Sequence, residues 1–453
     1  MTRVWQKLFT THPARTVVMA FAMVILAGAA VLSLPVSSQD GRATDLVTSL
    51  FTSTSAVCVT GLVVVDTGTY WSGFGEGVIL ALIQVGGFGI MAMASLLALL
   101  VSGKLRLRMQ LTAQAETKSL GIGDVRRVLL GVAGTTVAVE LAIGTALALR
   151  FRFGYGESTV DSVYLGFFHA VSAFNNAGFG LHPDSLTRYA TDPWVTLPIA
   201  AAVILGGLGF PVLLELLRHR RRMRTTGRRG WTLHTKLTLV TTAALLVSGT
   251  LFTALLEWGN AATLGPFTWG DKLLESFFYS AMSRTAGFNA LDIGAMEAST
   301  LLMTCTLMFI GGGSAGTAGG IKVTTFAVLA AAMLAEVRGE PNSTVMSRRL
   351  APHALRQALT VALLGVGLVI SATLALLTVI RAPFEDVLFE AVSAFGTVGL
   401  STGITAEFPD SGRLILIMLM FVGRLGPITL VSALALRERT RRYQLPEERP
   451  VIG

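Results

Sequence analysis

The sequence predicts an all-α integral membrane fold: four membrane-pore-membrane repeats, with eight spanning helices and four re-entrant pore helices, around a central pore. Three observations carry this. The chain is 52% hydrophobic and only 14% charged, with a mean hydropathy of +0.64, whereas soluble domains carry roughly 25% charged residues. Eight apolar runs each reach the ~20 residues that a spanning helix needs. Finally, a shorter glycine-terminated segment recurs between successive pairs of runs. Its glycines, Gly61, Gly178, Gly287 and Gly399, are spaced 117, 109 and 112 residues apart, and such self-similarity is the signature of a repeated unit.

In chain order, the first run is TVVMAFAMVILAGAAVLSLP (16–35). It is longer than the apolar core of a signal peptide and no small-residue cleavage site follows it, so it reads as a span. DLVTSLFTSTSAVCVTGL (45–62) is too short to cross, and VILALIQVGGFGIMAMASLLALLV (78–101) crosses again, which completes repeat one (1–127). Repeat two (128–234) holds VLLGVAGTTVAVELAIGTALALRF (128–151), DSVYLGFFHAVSAFNNAGF (161–179) and an apolar run near 195–217. Repeat three (235–356) holds runs at 236–256 and 299–335 around DKLLESFFYSAMSRTAGF (271–288). Repeat four (357–436) holds runs at 357–380 and 413–436 around EDVLFEAVSAFGTVGL (385–400), and a tail follows (437–453).

Charge sets the expected orientation. The N-terminus, residues 102–127, 218–236 and 338–356, and the tail hold 26 of the 36 Lys and Arg residues, all on one side if the spans alternate. This is the positive-inside pattern, with both termini cytoplasmic. The net charge of +9 is therefore a topology signal with no nucleic acid implied, and RHRRRMRTTGRR (218–229) is left as a surface for anionic lipid or a cytoplasmic partner. Cys58 and Cys305 offer neither a disulfide framework nor metal spacing.

Each short segment opens with an acid, carries a phenylalanine ten residues before its glycine (Phe51, Phe168, Phe277, Phe389) and has a large apolar residue after it. Non-helical backbone survives at membrane depth only where it is buried in protein or lines a watery path. A half-length helix entering from outside points its partly negative C-terminal end at the bilayer centre. Four such ends around an axis make a cation site, in which carbonyls replace the ion's water shell, and glycine can aim them inward.

MFIGGGSAGTAGGIKVTTF (308–326) interrupts the second span of repeat three. GGGSAG fits the dinucleotide glycine pattern, but no strand precedes it, and GTAGGIK fails the Walker spacing. Close helix packing explains GGFG (86–89) and GGLGFP (206–211). The third-repeat stretch is long enough to unwind into a polar loop, which must lie near water.

The four-fold repeat, its glycine segments, GGGSAGTAGGIK and GRLGP (423–427) resemble the Trk/Ktr/HKT superfamily of potassium transporters, most closely the Ktr-type translocating subunit. The resemblance spans nearly the whole chain. It implies K⁺ uptake across the bacterial inner (plasma) membrane, with carbonyls of Val59, Thr60 and Gly61, of Asn176, Ala177 and Gly178, of Thr285, Ala286 and Gly287, and of Thr397, Val398 and Gly399 holding dehydrated K⁺. In the superfamily a serine at the place of Gly61 goes with Na⁺ transport, so the glycine here favours K⁺. The resemblance also implies a gate below the filter, made of Gly311, Gly312, Gly313, Ser314, Ala315, Gly316, Thr317, Ala318, Gly319, Gly320 and Lys322, with Arg424 adding an electrostatic barrier. It implies no organic cofactor, K⁺ as the transported ion and Na⁺ as a candidate activating ion. Its implied partners are a separate cytoplasmic nucleotide-binding regulatory ring, a second copy of the chain in a homodimer, and the lipid bilayer.

Three buried charges carry expectations. Arg284 is expected behind the filter, paired with a carboxylate such as Glu275 or Glu390. Glu140 is expected in an interhelical hydrogen bond in preference to a proton relay. Arg424 either projects below the filter or bonds Glu390 or a loop carbonyl. The alternative within the class is a Na⁺-permeable or proton-coupled relative. A carrier with inverted repeats predicts opposite topologies, whereas these repeats share one orientation. An enzyme lacks paired carboxylates or a histidine cluster.

Overall fold

A computed structural model describes residues 13–89, 91, 122–222, 231–340 and 342–426. The first twelve residues, the end of the 78–101 run, most of the 102–127 loop, part of the 218–236 loop, the end of the 413–436 run with the last residue of GRLGP, and the tail from 437 lie outside these residues. The described chain is helical apart from one two-stranded hairpin pairing Thr344–Val345 with Arg348–Arg349. Repeat one contributes α1 (Pro13–Leu32), α2 (Leu46–Cys58) and α3 (Gly73–Gly89). Repeat two follows with α4 (Ile122–Gly154), α5 (Thr159–Phe174), α6 (Pro193–Leu208) and α7 (Phe210–Arg222). Repeat three has α8 (Leu233–Glu257), α9 (Trp269–Met282), α10 (Ala298–Phe309) and α11 (Val323–Val337). Repeat four has α12 (Pro352–Leu377), α13 (Phe384–Gly396) and α14 (Asp410–Leu425).

The four short helices α2, α5, α9 and α13 form the centre. The opening acids serve their exposed N–H groups or first turns. Asp45 caps α2 by accepting from Val47 N and Thr48 N. Ser158 and Thr268 cap α5 and α9, each bonding the acid three residues on, Asp161 or Asp271. Glu385 and Asp386 sit in the first turn of α13, whose cap is Pro383. Ten of the thirteen residues of α2 are buried, whereas α4, α8 and α12 expose most of their apolar surface, as lipid-facing helices do.

Eight uninterrupted spans are not what forms. Among the described residues, three helices are long and apolar enough to cross alone: Leu129–Gly154, Leu233–Glu257 and Pro352–Leu377, the first helices of repeats two to four. The second span of repeat two is two helices, α6 and α7, bent by 102° at Gly209. That of repeat three is also two, with the chain unwound between Phe309 and Val323. Three of the repeat phenylalanines, Phe51, Phe168 and Phe389, are fully buried, whereas Phe277 is half-buried and its neighbour Phe278 takes the core position.

Candidate functional site

The residues after each short helix reverse direction in one conformation. Two positions before the glycine, Val59, Asn176, Thr285 and Thr397 all take positive φ (56°, 59°, 82° and 49°). The glycines themselves lie at 93°, 69°, 68° and 92°. Positive φ in β-branched Val59, Thr285 and Thr397 is a genuine outlier, of the kind that clusters at functional sites.

These four arcs close a ring. A Cβ on Gly61 would stand 2.4 Å from the Ala177 carbonyl oxygen, and one on Gly178 2.5 Å from that of Ala286. One on Gly287 would meet the Val398 oxygen at 2.5 Å, and one on Gly399 the Thr60 oxygen at 2.2 Å. Each repeat thus abuts the next, and the fourth returns to the first. No side chain fits between them, and carbonyl oxygens of all four gather about one axis. Gly61, Gly178, Gly287 and Gly399 also line one cavity of about 310 Å³, with Asp66, His182, Ser185, Asn289, Ser401 and Thr405 in its wall. Burial, with Arg188 nearby, pushes the His182 imidazole below its ordinary value. Among the described residues no group of three His, Cys, Asp or Glu side chains could hold a metal.

The cavity is lined by residues that follow the glycines; the 311–322 loop packs against those that precede them. Gly311 approaches the Thr285 side chain, and a Cβ on Gly319 would overlap the Thr397 hydroxyl. The Thr317 hydroxyl donates to Asn176 Oδ1 at 2.7 Å. The loop is stapled to the break in repeat two: Gly313 N donates to Gly207 O (2.7 Å), Thr317 N to Gly206 O (3.2 Å), and Phe210 N to Ala315 O (3.2 Å). Lys322 folds back on the Ala318 carbonyl. All the loop residues expected in the gate, Gly311 to Gly320 and Lys322, therefore lie together beneath the ring.

Arg424 is buried, and its Nη1 donates to the Thr317 carbonyl. The loop-carbonyl alternative is the one observed, with no bond to Glu390, and it places the guanidinium against the loop. Arg284 corrects a second expectation. It does lie behind the arc, but it pairs with no carboxylate; Nη1 donates to Thr242 O (3.3 Å) and Nη2 to Gly311 O (3.2 Å). Glu390 is occupied by the Ser401 and Thr405 hydroxyls, and both Glu275 carboxylate oxygens are buried without a hydrogen-bond partner among the described residues. Both acceptors of the guanidinium are backbone carbonyls, Thr242 O within α8 and Gly311 O at the start of the unwound loop. Glu140 accepts from Gln84 (3.3 Å) and Asn175 (3.1 Å), the expected interhelical bonds. Cys58 is a fully buried packing residue.

GGLGFP (206–211) does more than pack. A Cβ on Gly206 would lie 1.9 Å from Phe174 O, so close approach is real, but Gly209, at φ 90°, also turns the chain and opens backbone to the loop. Asn176 is the functional residue whose side chain sequence reading missed: its carbonyl was expected in the filter, not its amide on the loop. The paired NN of NNAGF, at a place where the other arcs carry CV, RT and GT, was the available signal.

Comparison with known proteins accords with this geometry. Residues 3–439 match the TrkH family, described as cation transport protein. The chain is 40% identical over 432 residues, 95% of each protein, to Ktr system potassium uptake protein B of Bacillus subtilis. It is 33% identical, over 97% of each, to potassium/sodium uptake protein NtpJ of Enterococcus hirae. In fold it is similar to the crystal structure of the potassium transporter TrkH from Vibrio parahaemolyticus, with a TM-score of 0.70, 17% identity, and coverage of 93% of this chain and 84% of that one.

Proposed function

The chain belongs to the TrkH family of cation transport proteins, and on that premise we propose that it takes K⁺ into the cell across the inner membrane, down its electrochemical gradient, through the ring of four arcs. It is a transporter and not an enzyme. The observation that carries the ion reading is the cyclic approach of each filter glycine to the next repeat's carbonyl, since a dehydrated ion needs oxygens converging from all sides. Repeats 1–127, 128–234, 235–356 and 357–436 each supply one arc, Val59–Gly61, Asn176–Gly178, Thr285–Gly287 and Thr397–Gly399 in turn.

Residues 311–322 with Arg424 form the gate. Support comes from the loop's place directly under Asn176, Thr285 and Thr397 and from the buried guanidinium held on its Thr317 carbonyl. A cation leaving the filter meets both an obstruction and a like charge. Both termini face the cytoplasm, the chain works as a homodimer, and a separate nucleotide-binding ring moves the gate; the relative's description as part of a Ktr system supports a partner subunit. A Na⁺-permeable reading has one specific support, the potassium/sodium description of the Enterococcus relative.

The test is rescue of K⁺-limited growth in cells stripped of uptake systems, followed by Rb⁺ flux into proteoliposomes with Na⁺ and K⁺ as competitors. Rescue, with K⁺ competing far better than Na⁺, is the expected result. Equal competition would establish the Na⁺-permeable reading, and no flux of either ion would remove both.

A further inference from the structure

The four arcs are braced in two ways. In repeats one and four, a serine six residues before the glycine braces the arc from within its own repeat. Ser55 Oγ accepts from Gly61 N (3.1 Å) and donates to Leu62 O (2.7 Å); Ser393 Oγ accepts from Gly399 N (3.1 Å). The same position in repeat three is Ala281. In repeat two it is Ser172, whose buried hydroxyl has no hydrogen-bond partner among the described residues.

Arcs two and three are tied within their own repeats by backbone alone, Ala177 N donating to Ser172 O (2.7 Å) and Ala286 N and Gly287 N to Met282 O (3.0 and 3.4 Å); their side chains bond to each other and to the loop. Asn176 Nδ2 donates to the Thr285 hydroxyl (3.3 Å), joining the two arcs. Asn176 Oδ1 accepts from the Thr317 hydroxyl (2.7 Å), and Arg284, the residue before Thr285, donates to Gly311 O (3.2 Å). Asn176, Thr285, Thr317 and Arg284 are all buried, so a broken bond here leaves a polar group without water to replace its partner. An arc whose left-handed residue is held by its surroundings relaxes when those surroundings leave.

We propose that Asn176 and Arg284 are positioning residues through which the loop sets the geometry of the second and third filter arcs, so that moving the loop changes ion selectivity as well as access. With the loop in place, Thr317 orients the Asn176 amide, which in turn holds Thr285, and Gly311 anchors Arg284. When the loop withdraws, arcs two and three lose these ties while the serine-braced arcs one and four keep theirs. This rests on the reading of residues 311–322 as the gate, and flux and ion preference separate the two ideas: flux reports the gate, the K⁺-over-Na⁺ ratio reports the coupling.

The test uses the full chain in proteoliposomes and measures Rb⁺ flux with Na⁺ competition for Thr317→Val, Thr317→Ser, Asn176→Ala and a loop shortened by residues 313–318, alone and combined. Thr317→Val keeps the side chain's shape and removes only the hydroxyl. It is expected to lower the K⁺-over-Na⁺ ratio about five-fold, the worth of one buried neutral hydrogen bond, and Thr317→Ser to restore it. Asn176→Ala should add nothing to the shortened loop, since both break one linkage. Ser393→Ala, which removes a hydroxyl bonded to Gly399 N within its own repeat and not to the loop, should add fully. Full additivity of Asn176→Ala with loop shortening, or an unchanged ratio in Thr317→Val, would overturn the coupling. A shortened loop that shifts the ratio at unchanged flux would keep the coupling and discard the gate.

Discussion

The second spans of repeats two and three both break, and they continue differently. In repeat two the chain stops at Leu208, turns 102° through Gly209 and resumes at once as helix. In repeat three it stops at Phe309 and stays unwound until Val323. Both breaks are glycine-rich, so composition alone does not separate a bend from a loop. What separates them is what lies opposite. Gly206 presses on the Phe174 carbonyl alone of the backbone around it, while the repeat-three loop lies between the repeat-two backbone at Gly207 and Leu208 on one side and the side chains of Thr285, Thr397 and Asn176 on the other. A rigid bend makes a seat, and the loop bonded to Gly206, Gly207 and Phe210 occupies it.

Substitution should expose that contrast most sharply. Gly206→Ala puts a methyl 1.9 Å from Phe174 O and is expected to destabilise by about 3 kcal/mol or more, seen as a lower thermal midpoint in detergent. Gly319→Ala meets the Thr397 hydroxyl at the same 1.9 Å, which a rotamer change can relieve, and the Gly396 carbonyl at 2.8 Å, which needs only a small shift; the cost should be about 2 kcal/mol. Equal losses would erase the distinction between seat and loop.

Arg424→Gln removes a charge held on the Thr317 carbonyl. A unit charge about 8 Å from an ion at an effective dielectric of 20 costs about 2 kcal/mol, so Rb⁺ flux should rise about thirty-fold. Unchanged flux would reduce the residue to a loop brace. Arg284→Lys keeps the charge but loses the planar fork that reaches both Thr242 and Gly311. It is expected to loosen the loop and raise unstimulated flux several-fold; tighter closure would mean that the bond strains the loop instead of anchoring it.

The smallest effect lies away from both breaks. His182 lines the cavity over the four glycines, and burial, with Arg188 nearby, lowers its pKa from the ordinary imidazole value. The imidazole is therefore neutral at pH 7 and charges only in external acid, where a cation at the mouth opposes entry. Uptake should be flat from pH 8 to 6.5 and fall about two-fold below that, equally in wild type and loop-shortened protein, and His182→Gln should abolish the fall. An acid response that depended on the loop would place the sensor elsewhere.

Much of this was legible in the residues, because bilayer rules leave few options. Apolar runs, opening acids and four spaced glycines marked the short central helices and the four glycine arcs that abut one another before any coordinates. The partner of Arg284 was not legible: a buried guanidinium suggests an acid, whereas its acceptors are the Thr242 carbonyl inside α8 and the Gly311 carbonyl at the helix break, brought together only by the fold. Nor was Phe277, displaced from the core by Phe278, foreseeable from spacing alone.

Local chemistry settled which backbone is free to bend and which residues enter lipid, since propensity, charge and hydropathy act within a few residues of chain. Which carbonyl faces which donor was decided only in the assembled ring. Asn176 meets Thr317 across 141 residues, and Arg424 meets it across 107; contacts of that separation follow from how four repeats close around an axis.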